Sequence, residues 1–232
     1  MKIDANDRAA RRELLRRLVA TGALGAAGVS GWISQALAAG TVSGLEGVNR
    51  LEGTATVNGR PAKVGTPVKP GDRVATGKAS QAVVVIGNDA FLLRGETTIE
   101  YAAEKGALAG MGILAGKVLS VFGPRPKTFA IKAATASIGI RGTGAYLEVE
   151  PTRVYFCLCY GEAVIDGPQM APKAVKTTHH EQPLYLLDDG RSLRAEPGPF
   201  LNHADDELVL LESLVGREPP FVKDGQFLLK KY

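Results

Sequence analysis

Thr54-Ala55-Thr56-Val57-Asn58-Gly59-Arg60-Pro61-Ala62-Lys63-Val64 sets Ala55 and Val57 in alternation with threonines, then turns at Asn58-Gly59. Asn-Gly supplies the positive φ that both central positions of a type I′ turn require, so residues 54–64 are expected to form a tight β-hairpin. The same grammar runs outward from it. Gln81 to Ile86 precedes Gly87-Asn88, and Gly116 to Phe122 precedes Gly123-Pro124. From Thr41 to about Leu201, period-two apolar runs are broken by Gly, Pro or Asn every eight to twelve residues. Ten or more such strands with almost no helical periodicity predict an all-β sandwich, roll or barrel.

Residues 203–215 break the pattern. Leu208, Leu211 and Val215 form a stripe at helical spacing, widened by Leu210 and Leu214. Asn202 is the expected N-cap, Asp205, Asp206 and Glu207 suit the positive helix end, and Gly216 stands where a C′ residue belongs. So broad an apolar face predicts one C-terminal helix packed on the sheet, with Pro219-Pro220 stopping it and a short arm behind. The expected organisation is a leader over 1–38, a β domain over 39–201 and the helix and arm over 202–232.

The chain of 232 residues carries 28 basic and 24 acidic side chains, 45% hydrophobic residues and two cysteines. Those fractions describe a folded globular protein, and two cysteines are too few for a disulfide scaffold. The net charge of +4 belongs to the leader. Residues 1–38 hold six basic and three acidic side chains, and without them 22 basic face 21 acidic ones. A nucleic-acid partner therefore has no support in the charge.

Seventeen polar, Arg-rich residues are followed by an uncharged run from Leu18 to Ala38, ending in Ala36-Leu37-Ala38. That small-x-small ending suits signal peptidase, and cleavage is expected after Ala38. Ala10-Arg11-Arg12-Glu13-Leu14-Leu15-Arg16 resembles the twin-arginine export motif through Arg11 and Arg12, with Ala10 and Leu14 departing from it. The expected location is the periplasm. An inner-membrane anchor over residues 18–38, facing the periplasm, is the alternative, since about 20 apolar residues span a bilayer.

Several short motifs occur in a distinctive order. Val68 to Ile86 contains a Gly71-Asp72 turn and Thr76-Gly77-Lys78-Ala79-Ser80 before a strand. Gly116-Lys117-Val118-Leu119 follows, then Ala136 to Val149 with Arg141-Gly142-Thr143, then Tyr160-Gly161-Glu162-Ala163-Val164. This succession, over about residues 42–166, resembles the FecR domain. The resemblance implies a periplasmic β module of the kind found in regulators that relay a signal from an outer-membrane transporter to an extracytoplasmic-function sigma factor. Such regulators hold the sigma factor with a cytoplasmic helical domain, for which seventeen residues are too few. The resemblance thus implies a FecR-type module detached from sigma control.

The motif search favours binding over catalysis. Gly-x-Ser-x-Gly is absent, Gly116-Lys117-Val118 lacks the other residues of a phosphate loop, and Gly139 to Gly144 has the wrong spacing for a dinucleotide fingerprint. One constellation stands out. In Val154-Tyr155-Phe156-Cys157-Leu158-Cys159-Tyr160, Val154, Phe156, Leu158 and Tyr160 are expected on the core side, and Tyr155, Cys157 and Cys159 on the other. His179-His180 precedes a strand over Leu184 to Leu187 that can lie beside this one, and His203 opens the helix. Cys157 and Cys159 with two of His179, His180 and His203 could hold Zn or Cu(I) in a tetrahedral site. The alternatives are thiols simply buried under the helix, and a Cys157–Cys159 disulfide at the limit of bridging distance.

The expected function is thus a periplasmic binding or sensing module whose partner is an envelope protein or a small ligand. The alternatives are a structural adaptor with packed thiols and a membrane-anchored regulator. Trp32 is the only tryptophan. Protein cleaved after Ala38 is therefore expected to lack indole fluorescence, and a bright tryptophan emission from periplasmic material would overturn that cleavage site.

Overall fold

The computed structural model describes residues 45–134 and 136–223. The expected export motif at Arg11 and Arg12, the cleavage site at Ala36 and Ala38, and the apolar run over 18–38 lie outside them, as do residues 224–232. Among the described residues no helix is long and apolar enough to cross a membrane.

The architecture is all-β with a C-terminal helical cover. In chain order the strands are β1 (Gly47–Glu52), β2 (Ala55–Val57), β3 (Arg60–Pro61), β4 (Arg73–Thr76) and β5 (Gln81–Ile86). There follow β6 (Asp89–Leu93), β7 (Thr98–Glu104), β8 (Ala107–Val121), β9 (Phe129–Ala133) and β10 (Ala136–Ile140). The last are β11 (Gly144–Val149), β12 (Arg153–Gly167), β13 (Met170–Thr177), β14 (Leu184–Asp188) and β15 (Leu193–Pro197). Helices α1 (Asp205–Leu214) and α2 (Pro220–Lys223) close the described chain. The hairpin is where the sequence puts it: β2 pairs with β3, and Asn58 and Gly59 have φ of 52° and 76°.

The strands form two layers. The first runs β1-β5-β6-β8-β11-β12-β14-β15, antiparallel throughout. The second runs β3-β2-β4-β7-β8-β9-β10-β12-β13, with β8 and β9 parallel. Strands β8 and β12 belong to both. Each is 15 residues long and crosses from one sheet to the other at a glycine, Gly116 with φ 98° and Gly161 with φ 99°. Two corner-turning strands therefore fold one continuous ladder over on itself. A Cβ on Gly116 would sit 2.4 Å from Thr97 Cα, and one on Gly161 would sit 2.6 Å from Thr143 Cγ2.

Between the layers lies the main core, including Val84, Phe91, Leu147, Phe156 and Leu158 from the first sheet and Ile99, Met111, Ile131, Ile138 and Ile165 from the second. The first sheet is apolar on its other face too. There Val83, Val85, Leu92, Leu119, Val121, Tyr146, Tyr155, Cys157 and Cys159 meet Leu208, Leu210, Leu211 and Leu214 of α1 and Phe221 of α2. The molecule thus has three layers: the second sheet outside, the first sheet in the middle, here called the shared sheet because both cores pack on it, and the helical cover.

Two details differ from the sequence reading. Tyr160 faces the helical cover with Cys157 and Cys159 rather than the main core with Leu158. The cause is a bulge: Gly144 pairs with Tyr160 and Ala145 with Leu158, so Cys159 is the extra residue and the alternation shifts by one. The helix also starts later than expected. Its N-cap is Ala204, whose amide is bound by the Glu207 carboxylate at 3.1 Å, while Asn202 has φ 56° and donates to Glu148.

The glycine corners give a direct test. Gly116→Ala forces a left-handed backbone and a backbone clash on an L side chain, so it is expected to cost roughly 2–5 kcal/mol. Gly59→Ala meets open space and is expected to cost about 1 kcal/mol. Urea midpoints of the two variants at unchanged slope check the ranking.

Candidate metal centre

Cys157 and Cys159 are fully buried on the face of β12 that looks toward the cover. Both are free thiols, so the disulfide alternative is not the state of this structure. The bulge at Cys159 leaves its carbonyl to accept the His180 amide at 3.0 Å, which ties the loop after β13 onto the cysteine strand. Glu181 shapes that loop by accepting the Thr178 and His179 amides at 2.8 and 2.9 Å. Burial opposes its charge, but the hydrogen bonds from Thr178 and His179 win and hold the carboxyl at about 2. His180 itself adopts φ 58°. The histidine pair is interior: His179 is 0% exposed and His180 5%.

His203 precedes the N-cap rather than lying in the helix. Its ring stacks on Tyr146 at 4.5 Å between centroids, and its Nδ1 donates to the Leu201 carbonyl at 2.6 Å. That bond leaves the Nε2 lone pair facing inward. On the opposite side, His180 Nε2 donates to Asp205 Oδ1 at 2.9 Å, which leaves its Nδ1 lone pair facing inward as well. The inward atoms meet. Cys157 Sγ lies 3.5 Å from His180 Nδ1, Cys159 Sγ lies 3.5 Å from His203 Nε2, and the two nitrogens are 3.2 Å apart. All four ligand atoms fall within 4.8 Å of one another.

These separations have a simple geometric meaning. Zinc bonds of about 2.3 Å to sulfur and 2.0–2.1 Å to nitrogen give a tetrahedron whose S–N edges are about 3.5 Å and N–N edge about 3.3 Å. The observed contacts match those edges. The surrounding partners also fit, since imidazole ligands usually pass their second N–H to a carboxylate or a carbonyl. Asp205 and Leu201 fill those two roles. His179 is placed behind the cluster, with Nε2 on Asp205 Oδ2 at 2.8 Å and its ring stacked on Phe221. The five sequence candidates thus come together in one place, four as inward-facing donors and His179 beside them.

The electrostatics favour donor character. A hydrogen bond from Cys159 holds the Cys157 thiol far below its ordinary value, helped by His180 and His203 against the effect of burial. Burial and the neighbouring Cys157 push Cys159 upward. Burial alone would lower His180, yet Asp205 and Cys157 outweigh it and the shift is upward. Asp205 is held below its ordinary range, because bonds from His179 and His180 overcome its burial. The downward direction at Cys157 favours its thiolate, the form in which sulfur binds a soft cation.

No family model matches the chain, and no curated protein matches it. Two crystal structures of a candidate anti-sigma factor from Parabacteroides distasonis, at 2.50 and 1.65 Å resolution, are similar in structure. Each superposes with a TM-score of 0.46 at 11% identity, over 54% of this chain and 59% of that one. The matched region thus spans about three fifths of that protein's length.

Three consecutive carboxylates open α1, and the structure gives them different surroundings. Asp205 binds the two histidines, and Glu207 pairs with Arg94 at 2.8 Å. Asp206 is 6% exposed and no ion pair holds it among the described residues; burial first, then the Glu207 charge, push it up to about 6. A carboxyl raised on folding takes up a proton, so its contribution is most favourable below the unfolded value of about 3.9 and fades as pH climbs through about 6. Asp206→Asn is expected to stabilise the protein by about 1–2 kcal/mol at pH 7.5 and hardly at all at pH 4. Urea unfolding at the two pH values checks it.

Proposed function

We propose that the chain is an extracytoplasmic binding and sensing module, without turnover of its own, built round a Cys2His2 zinc centre formed by Cys157, Cys159, His180 and His203. The observation that carries this reading is the set of 3.5, 3.5 and 3.2 Å contacts among four buried donors whose other partners already fix their orientation. A packed thiol cluster accounts for it less well. Thiol-to-imidazole hydrogen bonds account for two of the three contacts, whereas a shared cation accounts for all three at once. Zinc fits better than Cu(I) because two thiolates with two imidazoles are a donor set that structural zinc commonly takes.

Four protein donors leave no open coordination position, which is the arrangement of structural rather than catalytic zinc. The FecR-like motif succession supports a signalling role, with an envelope protein or a small ligand as partner. The Arg-rich leader and its small-x-small ending support a periplasmic address. Export through a route for folded proteins would let the centre fill in a reducing cytoplasm before the thiols meet an oxidising compartment.

Protein purified without chelator is expected to hold one zinc per chain by elemental analysis. Cys157→Ser is expected to lose most of it, and Asp205→Asn to weaken binding roughly 10–100-fold by releasing His180. Cobalt in place of zinc is expected to give the intense visible absorption of a tetrahedral thiolate site. Protein that carries no metal, with both thiols reacting freely in the native state, would favour the adaptor reading instead.

A further inference from the structure

The four donors and Asp205 do not come from one element. Cys157 and Cys159 stand on the shared sheet, His180 on the loop after β13, His203 on the segment between β15 and α1, and Asp205 on the first turn of α1. A cation at their centre would therefore join the sheet to its cover at one point. The cover is small. Helix α1 has ten residues and α2 four, and a helix that short is marginal on its own in water. Beneath it is the apolar outer face of the first sheet, with Val83, Val85, Leu92, Leu119 and Val121. The main core lies on the other side of that sheet and shares none of these residues.

Resting on the zinc reading above, we propose that the metal regulates the cover: zinc holds segment 198–223 against the first sheet, and its loss releases that segment while the two-sheet sandwich stays folded. Cys157, Cys159 and His180 meet His203 only when the cover is closed, so a cation bound by all four adds its binding free energy to docking, and without it the cover keeps only its packing and polar ties. With it, the same donors draw the cover shut. Other ties across the seam, among them Arg94 to Glu207 at 2.8 Å, Tyr155 Oη to the Pro199 carbonyl at 2.8 Å, Tyr160 to Glu212 and Asn202 to Glu148, assist docking but involve none of the four donors. Linkage makes the relation reciprocal, so weakening the cover far from the donors must weaken zinc binding by the same factor. Leu211 is fully buried in α1, six residues beyond Asp205, and supplies no donor itself, which makes it the position for that test.

The experiment is hydrogen exchange on the full chain with its zinc and after removal by a chelator, read segment by segment, with metal content measured at each stage. Zinc loss is expected to speed exchange at least tenfold over 198–223 and in the 178–182 loop, and to leave β2, β4, β7 and β9 protected. Adding Zn(II) back is expected to restore protection. Leu211→Ala is expected to weaken Zn(II) affinity about tenfold or more in competition with a chromogenic chelator. Stoichiometric zinc whose removal leaves 198–223 protected, or whose removal unfolds both sheets together, overturns the regulation while sparing the zinc reading. An unchanged affinity in Leu211→Ala overturns it too. Absence of zinc from the purified protein overturns both at once.

Discussion

The shared sheet is buried on both faces, and the rest of the structure follows from that constraint. A sheet with one wet face can stop at two layers; one whose strands carry Val83, Leu92, Leu119 and Tyr155 outward as well as Val84, Phe91, Val118 and Phe156 inward cannot. Something must cover the second face, and α1 and α2 do so. The cover in turn has no hydrophobic partner beyond that sheet face among the described residues, so its place is set by what lies at the seam.

The seam is unusually polar for an interior. Arg94 reaches Glu207, Arg217 binds Glu212, which also accepts from Tyr160, and Asp205 holds two histidines. Buried ion pairs of this kind add little net stability, because desolvation cancels most of the attraction, but a misplaced cover would part Glu207 from Arg94, Glu212 from Tyr160 and Asp205 from its histidines. They fix the register of the helix on the sheet. Burial leaves its mark on the groups themselves: Glu212 is pushed upward despite Arg217, and Tyr160 is pushed well above its ordinary range.

Much of the fold is legible in the residues, and the parts that are not share a cause. The hairpin at Asn58-Gly59, the strand at Leu184 beside that at Val154, and the helix docked on a sheet all rest on local chemistry that a short window contains. Tyr160 does not, because the bulge that turns it depends on how β11 pairs with β12. The late helix start does not either. Asn202 is a better cap by type, but it is drawn to Glu148 across the seam, and Glu207 reaches back to the Ala204 amide. At the site, the sulfur and imidazole donors stand out because the chain has only two cysteines and three histidines, all within residues 157–203. Asp205, Glu181 and the Leu201 carbonyl, which orient them, look in sequence like an ordinary helix start and two loop positions. Only the folded chain shows what they hold.

That division explains why the donors sit where they do. The metal tie proposed above would need donors that are rigid before the metal arrives, and β12 supplies two on a strand flanked by β11 and β14. It also needs donors that arrive with the part to be fastened, and His203 lies two residues ahead of α1 with its ring already clamped between Leu201 and Tyr146. His180 completes the set from a loop bound to the Cys159 carbonyl itself, so its position is inherited from the bulge. A single irregularity in β12 thus sends Cys159 and Tyr160 to the same side, frees a carbonyl for the histidine loop and leaves the sandwich core undisturbed. The four donors thus meet at the boundary between a ten-residue helix and the sheet it covers, where every helix residue after Asp205 is buried.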